Sequence, residues 1–157
     1  MYNHQPKDEP CSICIFLSGR ETEHNKRSDI VFEDKNTIAF ISPKWWINNP
    51  GHVIVASKKH FENIYDIPDN TLSRVYVIAK KISIALKEAY QCEGTSTRQH
   101  NEPAGNQDIW HFHIHVFPRY KNDDLYKRHD QSRFVEAKQR LPYAQKLQKY
   151  FLNYQHS

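Results

Sequence analysis

The stretch Trp110-His111-Phe112-His113-Ile114-His115-Val116-Phe117 decides the reading of this chain. Histidine and apolar side chains alternate along it with a period of two. Successive residues of a strand point to opposite faces. Phe112, Ile114 and Val116 therefore share one face, and His111, His113 and His115 share the other. A helix would scatter the imidazoles around its axis. A strand over residues 109–117 is predicted, presenting a row of imidazoles to a pocket or surface. At a rise of ~3.3 Å per residue, neighbouring histidines stand roughly 6–7 Å apart and the row spans about 13 Å. One ion cannot bridge that distance, so at most one or two of the three can share a metal. Imidazole has an unperturbed pKa of ~6.5, which lets it serve as nucleophile, base or ligand near neutrality. A solvent-facing strand is the plain alternative, and the repulsion among three neighbouring cations weighs against it.

Outward from this stretch, short β-type runs surround one long helix. Ile30–Glu33 and Thr37–Ile41 flank the polar turn Glu33-Asp34-Lys35-Asn36, and residues 52–57 (HVIVAS) form a third strand. Gly94–Gln99 is a fourth and residues 109–117 a fifth. Residues 69–90 carry Leu72, Val75, Tyr76, Ala79, Ile82, Leu86, Ala89 and Tyr90 at the i, i+3, i+4 spacing of a buried helical stripe. Asp69 is the expected N-cap after Pro68, and Gly94 the expected stop. Cys11 to Gly19 is a short apolar patch. Residues 132–154 read as helical, interrupted or restarted at Pro142, which suits a first helical turn. Grouped strands with hairpin-like links point to an α+β fold with an antiparallel sheet. Neither GxGxxG nor GxxxxGK[ST] occurs, so the common glycine-rich phosphate loops are absent.

The length of 157 residues suits one domain over residues 1–157. Charged residues make up 25%, hydrophobic residues 38%, and mean hydropathy is −0.83. No apolar run approaches the ~20 residues of a membrane span, and the N-terminal segment has no apolar signal core. A cytoplasmic protein without membrane contact is expected. The net charge of +4 is uneven: residues 119–157 hold 9 of 22 Lys/Arg and 4 of 18 Asp/Glu, net +5, which leaves net −1 for residues 1–118. This basic excess reads first as a solvated helix face, and second as an attraction for phosphate-bearing partners. It is not interleaved with aromatics as in an RNA motif, so no specific nucleic-acid partner is expected.

Three cysteines, Cys11, Cys14 and Cys92, do not make a disulfide framework. Cys11 and Cys14 form C-x2-C, which needs two more ligands to close a tetrahedral zinc site. Two reduced thiols near a helix start, or a redox pair, are the other readings.

The phrase His111-Phe112-His113-Ile114-His115-Val116-Phe117-Pro118-Arg119 resembles the signature of the histidine triad (HIT) family. Pro50-Gly51-His52-Val53-Ile54-Val55 is similar to its PGHxLV strand. Lys59-His60-Phe61-Glu62-Asn63 is similar to its KxHxEN segment. Ala104-Gly105-Asn106-Gln107 resembles its AGQ loop, with Asn106 in place of the usual Gly before Gln107, and Cys11-Ser12-Ile13-Cys14 resembles the C-x2-C of its zinc-containing bacterial branch. The resemblance covers about residues 11–120 and leaves 121–157 as a basic helical C-terminal extension.

The resemblance implies a HIT-like five-stranded antiparallel sheet with one long helix, commonly paired into a homodimer. It implies a nucleotide hydrolase or nucleotidyl transferase acting at the α-phosphate of a nucleoside phosphate. His113 would be the nucleophile that forms a covalent nucleotidyl-histidine, and His115 would stabilise phosphate charge. Asn101, Gln107 and Asp108 would lie at the nucleotide with His113 and His115. Cys11, Cys14, His60 and His111 would hold a structural zinc. Asp108 stands where many relatives carry Ser or Thr assisting the leaving group. Trp45 and Trp46 can stack on a base or pack in the core or against a partner. The alternative function is a zinc-stabilised nucleotide-binding or interaction protein with little turnover.

Overall fold

A computed structural model of the chain describes residues 2–154; residue 1 and residues 155–157 of the expected unit lie outside the described residues. Five antiparallel strands form the main sheet: β1 (Ile30–Glu33), β2 (Thr37–Ile41), β4 (Val53–Ser57), β5 (Gly94–Gln99) and β6 (His113–Arg119), in the order β1-β2-β4-β6-β5. The helices are α1 (Ser12–Leu17), α2 (Asp69–Tyr90) and α3 (Ala137–Tyr154), and a separate ladder pairs β3 (Lys44–Trp45) with β7 (Arg133–Phe134). The α+β fold expected from the sequence is the fold observed.

Register assigns the two faces of the sheet. Val53 opposes Val116, Val55 opposes Ile114, and Ala39 and Ile41 oppose Val55 and Val53. Residues opposed across a ladder share a face, and these pack under α2 and α3 in the larger apolar core. On the reverse face Ile54 opposes His115 and Ala56 opposes His113. There α1 lays Ile13 and Phe16 over Ile38, Phe40, Ile54 and Ala56.

Several elements depart from the sequence expectation. β6 begins at His113 rather than at residue 109, because the chain bends through residues 109–111. The bend is held from outside: Phe112 N–H donates to Phe61 O at 2.6 Å, and Gln107 Nε2 donates to Glu62 O at 2.6 Å and Ile109 O at 3.1 Å. His111 thus leaves the imidazole row. In α2, Ile78 and Ala85 join the buried stripe, while Tyr76 is 44% exposed, about 100° around the helix from Val75. Pro68, not Asp69, is the N-cap, and Gln91 in the left-handed region ends the helix three residues before Gly94. Pro142 sits inside α3 without ending it. Ala144, Leu147 and Phe151, all beyond the proline, anchor the helix to the core and offset the cost of an interior proline, about 3 kcal/mol.

Gly51 has φ +75, and a Cβ there would strike the ring of Tyr143 on α3. The turn into β4 therefore requires glycine for its backbone and for the close approach of the C-terminal helix.

The basic tail is not wholly a solvated face. Arg140 is 2% exposed and pairs with the equally buried Asp29, with Nε to Oδ1 at 2.9 Å and Nη2 to Oδ2 at 2.8 Å. It also donates to His24 O at 2.6 Å and to Val135 O. One guanidinium thereby ties the loop before β1 to the segment after β7. Breaking a buried pair strands its partner, so Arg140→Ala should lower unfolding free energy by about 3–5 kcal/mol in urea titration. Lys138→Ala, which removes an exposed pair with Glu136, should stay within about 0.5 kcal/mol. Equal midpoints for the two variants would refute the tie.

Candidate active site and metal centre

The bend at residues 109–111 divides the triad between two sites. The side chain of His111 turns toward α1 and the end of β4. Its Nδ1 lies 3.3 Å from Cys11 Sγ and 3.6 Å from Cys14 Sγ, and Cys14 Sγ lies 3.3 Å from His60 Nδ1. The four donor atoms all fall within 4.8 Å of one another. A tetrahedral ion with Zn–S ≈ 2.3 Å and Zn–N ≈ 2.0–2.1 Å sets its sulfur and nitrogen ligands about 3.6 Å apart. The observed set fits that shell in both chemistry and spacing. His111 Nε2 donates to Ser57 O at 2.8 Å, which leaves Nδ1 as the lone-pair nitrogen facing the sulfurs. Burial, with Cys11 adjacent, pushes the Cys14 thiol up to about 12. A bound cation reverses that preference by favouring thiolate.

The second site follows β6. His113 Nδ1 donates to His111 O at 2.6 Å. Its Nε2 lies 3.2 Å from His115 Nε2, and His115 Nδ1 lies 3.3 Å from His52 Nε2. The first bond fixes the tautomer of His113, and the rest of the chain follows. His52 Nε2–H donates to His115 Nδ1, and His115 Nε2–H donates to His113 Nε2. His52 Nδ1 is then a lone pair, in keeping with its lack of a hydrogen-bond partner among the described residues. Burial is the main reason all three rings are neutral: it holds His113 below its ordinary value, His115 well below, and His52 at about 3. Mutual repulsion adds to the shift of His115 and His52, and so does the charge of Arg98.

A cavity of about 720 Å³ opens beside His115. Ile54 and Trp46 line one part of it, Arg98 and His100 of the β5 region another, and Asn106 and Asp108 a third. The segment beyond β6 also contributes, through Tyr126, Ser132 and Phe134. Phe134 stacks on His24 with ring centroids 3.9 Å apart. The pairing of β7 with β3 and the Arg140 tie hold both rings in place.

The two tryptophans separate. Trp45 is buried, donates Nε1–H to Ser42 O at 2.7 Å and packs edge-on to Tyr143. Trp46 turns to the cavity beside His52 and His115. Asp108 is exposed and lines the cavity, where its charge favours protonation of His113 against the burial effect. Asn101 and Gln107 brace the loops behind it. Asn101 Oδ1 accepts from Ile64 N–H at 2.8 Å, and Gln107 Oε1 accepts from Glu102 N–H at 2.8 Å. Neither lines the cavity. His52, Arg98, Tyr126 and Phe134 were not singled out by the sequence reading. Alternation through the HVIVAS run sets His52 on the face of Ile54 and would have revealed it; nothing local marks the other three.

The HIT domain pattern matches residues 23–122, and the chain belongs to the HIT family. It is 28% identical to Protein hit of Bacillus subtilis over 116 residues, covering 74% of this chain and 75% of that protein. Its fold is similar to that of a HIT-like protein involved in cell-cycle regulation from Bartonella henselae, at TM-score 0.77 and 26% identity over 92% of this chain and 98% of that one. It is also similar to a zinc-bound histidine triad protein from Mycobacterium smegmatis, at TM-score 0.75 and 22% identity over 93% and 96% of the two chains. The family is one of nucleotide-binding proteins and includes nucleotide hydrolases and transferases. No helix among the described residues is long and apolar enough to cross a membrane.

Proposed function

We propose that this chain is a nucleotide hydrolase or nucleotidyl transferase that works at the α-phosphate through a covalent nucleotidyl-His113. The observation that carries the reading is the 2.6 Å bond from His113 Nδ1 to the His111 carbonyl. It leaves Nε2 as the nucleophilic lone pair of a neutral ring. Attack forms the Nε2–P bond and breaks the bond from phosphorus to the leaving group, which departs with the electron pair. The ring gains positive charge as this happens, and the carbonyl that accepts the Nδ1 proton stabilises it. His115 Nε2–H, given to His113 in the free protein, is the donor for a phosphate oxygen once substrate arrives. Water or another acceptor then attacks phosphorus and restores His113. Asn106 and Asp108 lie along the cavity wall beside this point, on a loop that Asn101 and Gln107 keep in place.

His113→Ala should abolish turnover while nucleotide affinity stays within about tenfold, or ~1.4 kcal/mol. His115→Ala should lower both rate and affinity, since a phosphate contact acts in ground and transition states. Assays against nucleoside phosphoramidates and dinucleoside polyphosphates, with mass spectrometry for the adduct, give the ordering. Full activity in His113→Ala would remove the covalent mechanism. The second reading is a nucleotide-binding protein with little turnover, favoured by the exposed carboxylate of Asp108 on the wall where phosphate would lie.

Cys11, Cys14, His60 and His111 are assigned to a structural zinc with no open position. The ion would supply no chemistry to the phosphate and would fix His111, whose carbonyl orients the nucleophile. Metal analysis should find one zinc per chain, and Cys14→Ala should lower stability far more than it lowers substrate affinity. Purified protein without zinc and with unchanged melting after chelation contradicts the assignment.

The whole chain is read as one cytoplasmic HIT unit that pairs with a second copy. The outer edge of β5 and the exposed Tyr76, Val77 and Ile84 of α2 support a dimer surface there. Light scattering that finds only monomer at micromolar concentration rules the pairing out.

A further inference from the structure

Arg98 takes no part in the covalent step, yet it sits beside it. β5 and β6 pair with Arg98 directly opposite His115, so the two side chains stand on the same face of the sheet. Its guanidinium is not neutralised: among the described residues no carboxylate pairs with it. Asp34, Asp123 and Asp29, by contrast, each hold an arginine, namely Arg74, Arg119 and Arg140. Aromatic faces hold Arg98 instead. Its guanidinium carbon lies 5.8 Å from the ring of Trp46 and 6.0 Å from the ring of Tyr126.

Both rings are themselves fixed. Trp46 packs edge-on against Phe117 with centroids 5.1 Å apart. Tyr126 receives Arg119 at 5.1 Å, and Arg119 is clamped by Asp123 through two bonds of 2.7 and 2.8 Å. Asn49, three residues after Trp46, donates to the same carboxylate at 2.8 Å. That carboxylate is held well below the usual range, chiefly by Arg119. The result is a column of alternating rings and guanidinium groups with one unneutralised guanidinium at the cavity wall. Stacking orients arginine without using its N–H donors. The edge of the fork stays available to an anion.

We propose that Arg98, held between Trp46 and Tyr126, is a specificity-determining residue that selects nucleotides whose leaving group carries a phosphate next to the scissile bond. The proposal rests on the hydrolase or transferase reading for the meaning of "leaving group". When the Nε2–P bond forms and the bridging P–O bond breaks, the electron pair goes to the bridging oxygen of the departing phosphate. A fixed guanidinium pairs with that phosphate before and after cleavage, and it does so most strongly as the charge grows. An amine leaving group, which must depart protonated, receives nothing from it. Lys44 also lines the cavity, but as a single charge on a flexible stem. Glu23 and Asp108 are the carboxylates that line the same cavity. Tyr126 belongs to the segment beyond the residues that match the family pattern, so the extension takes part in the selection.

The test compares AMP with ADP by titration calorimetry on His113→Ala protein, which consumes neither. The corresponding pairs with guanine, cytosine and uracil run alongside, so that the comparison covers every common base. ADP places its second phosphate where the leaving phosphate would be. ADP should bind about tenfold more tightly than AMP, as expected for one charge-assisted pair. Adding Arg98→Met should bring the ratio to about one while AMP affinity changes less than about twofold. Arg98→Lys should keep only part of the preference. A diphosphate preference that is absent for every base, or is unchanged in Arg98→Met, overturns the proposal. The adduct assay on the parent protein decides the other reading separately. An Arg98-dependent preference without any nucleotidyl-His113 keeps Arg98 and removes the enzyme. An adduct with an Arg98-independent ratio keeps the enzyme and removes Arg98.

Discussion

His111 joins two sites through two ends of one residue. Its imidazole closes the Cys11, Cys14 and His60 cluster, and its carbonyl accepts the Nδ1 proton of His113 at 2.6 Å. The carbonyl can hold the nucleophile's tautomer only if the backbone at His111 is immobile. Four restraints act on that backbone: the bond from His111 Nε2 to Ser57 O, the bond from Phe112 N–H to Phe61 O, the Gln107 brace and the donor cluster itself. A metal in the cluster would thus serve catalysis through geometry alone. With four protein donors around it, such an ion would have no open position for phosphate.

The same bend takes His111 out of the row of imidazoles that the alternation implies. Only His113 and His115 remain on the strand, and His52 joins them from the turn into β4. All three are neutral because burial takes from the imidazolium form the hydration that would stabilise its charge. Each donates in one direction along the chain His52, His115, His113, His111 carbonyl. A neutral, directed row costs little to bury, and it presents a lone pair where the substrate's phosphorus would sit. Positive charge comes from outside the row, from a guanidinium that cannot lose its proton.

Period-two alternation made β6 readable, short β-type runs beside turn residues made β2 and β4 readable, and the helical stripe made α2 readable, because each pattern is local. The ligand set and the nucleophile were legible for a different reason: the triad, PGH and C-x2-C segments together resemble one family. What the sequence did not disclose depends on contacts between distant segments. The start of β6 is set by Phe61 and Glu62, not by residues 109–112. β7 is two residues long and exists only because Lys44 and Trp45 lie opposite it. Arg140 belongs to a strongly basic tail, and its burial depends on Asp29 more than a hundred positions earlier. The Trp46–Arg98–Tyr126 column draws on three such segments, and none carries a local mark.

These nonlocal features have a common consequence. Arg140 fastens the loop of His24 to the segment after β7, Gly51 lets α3 approach the turn into β4, and Asp123 clamps Arg119 and Asn49 together. Each anchors part of the region beyond β6 to the rest of the molecule: to the loop before β1, to the turn into β4 and to the end of β6. None of the triad's own hydrogen bonds involves a residue beyond His115. The region beyond β6 instead supplies Tyr126, Ser132 and Phe134 to the cavity and the outer face of the Arg98 column. The nucleophile is therefore built by the sheet, and the wall that meets the rest of the substrate is built in part by the extension. Such a division lets selectivity change through residues 121–154 without disturbing the atoms that react.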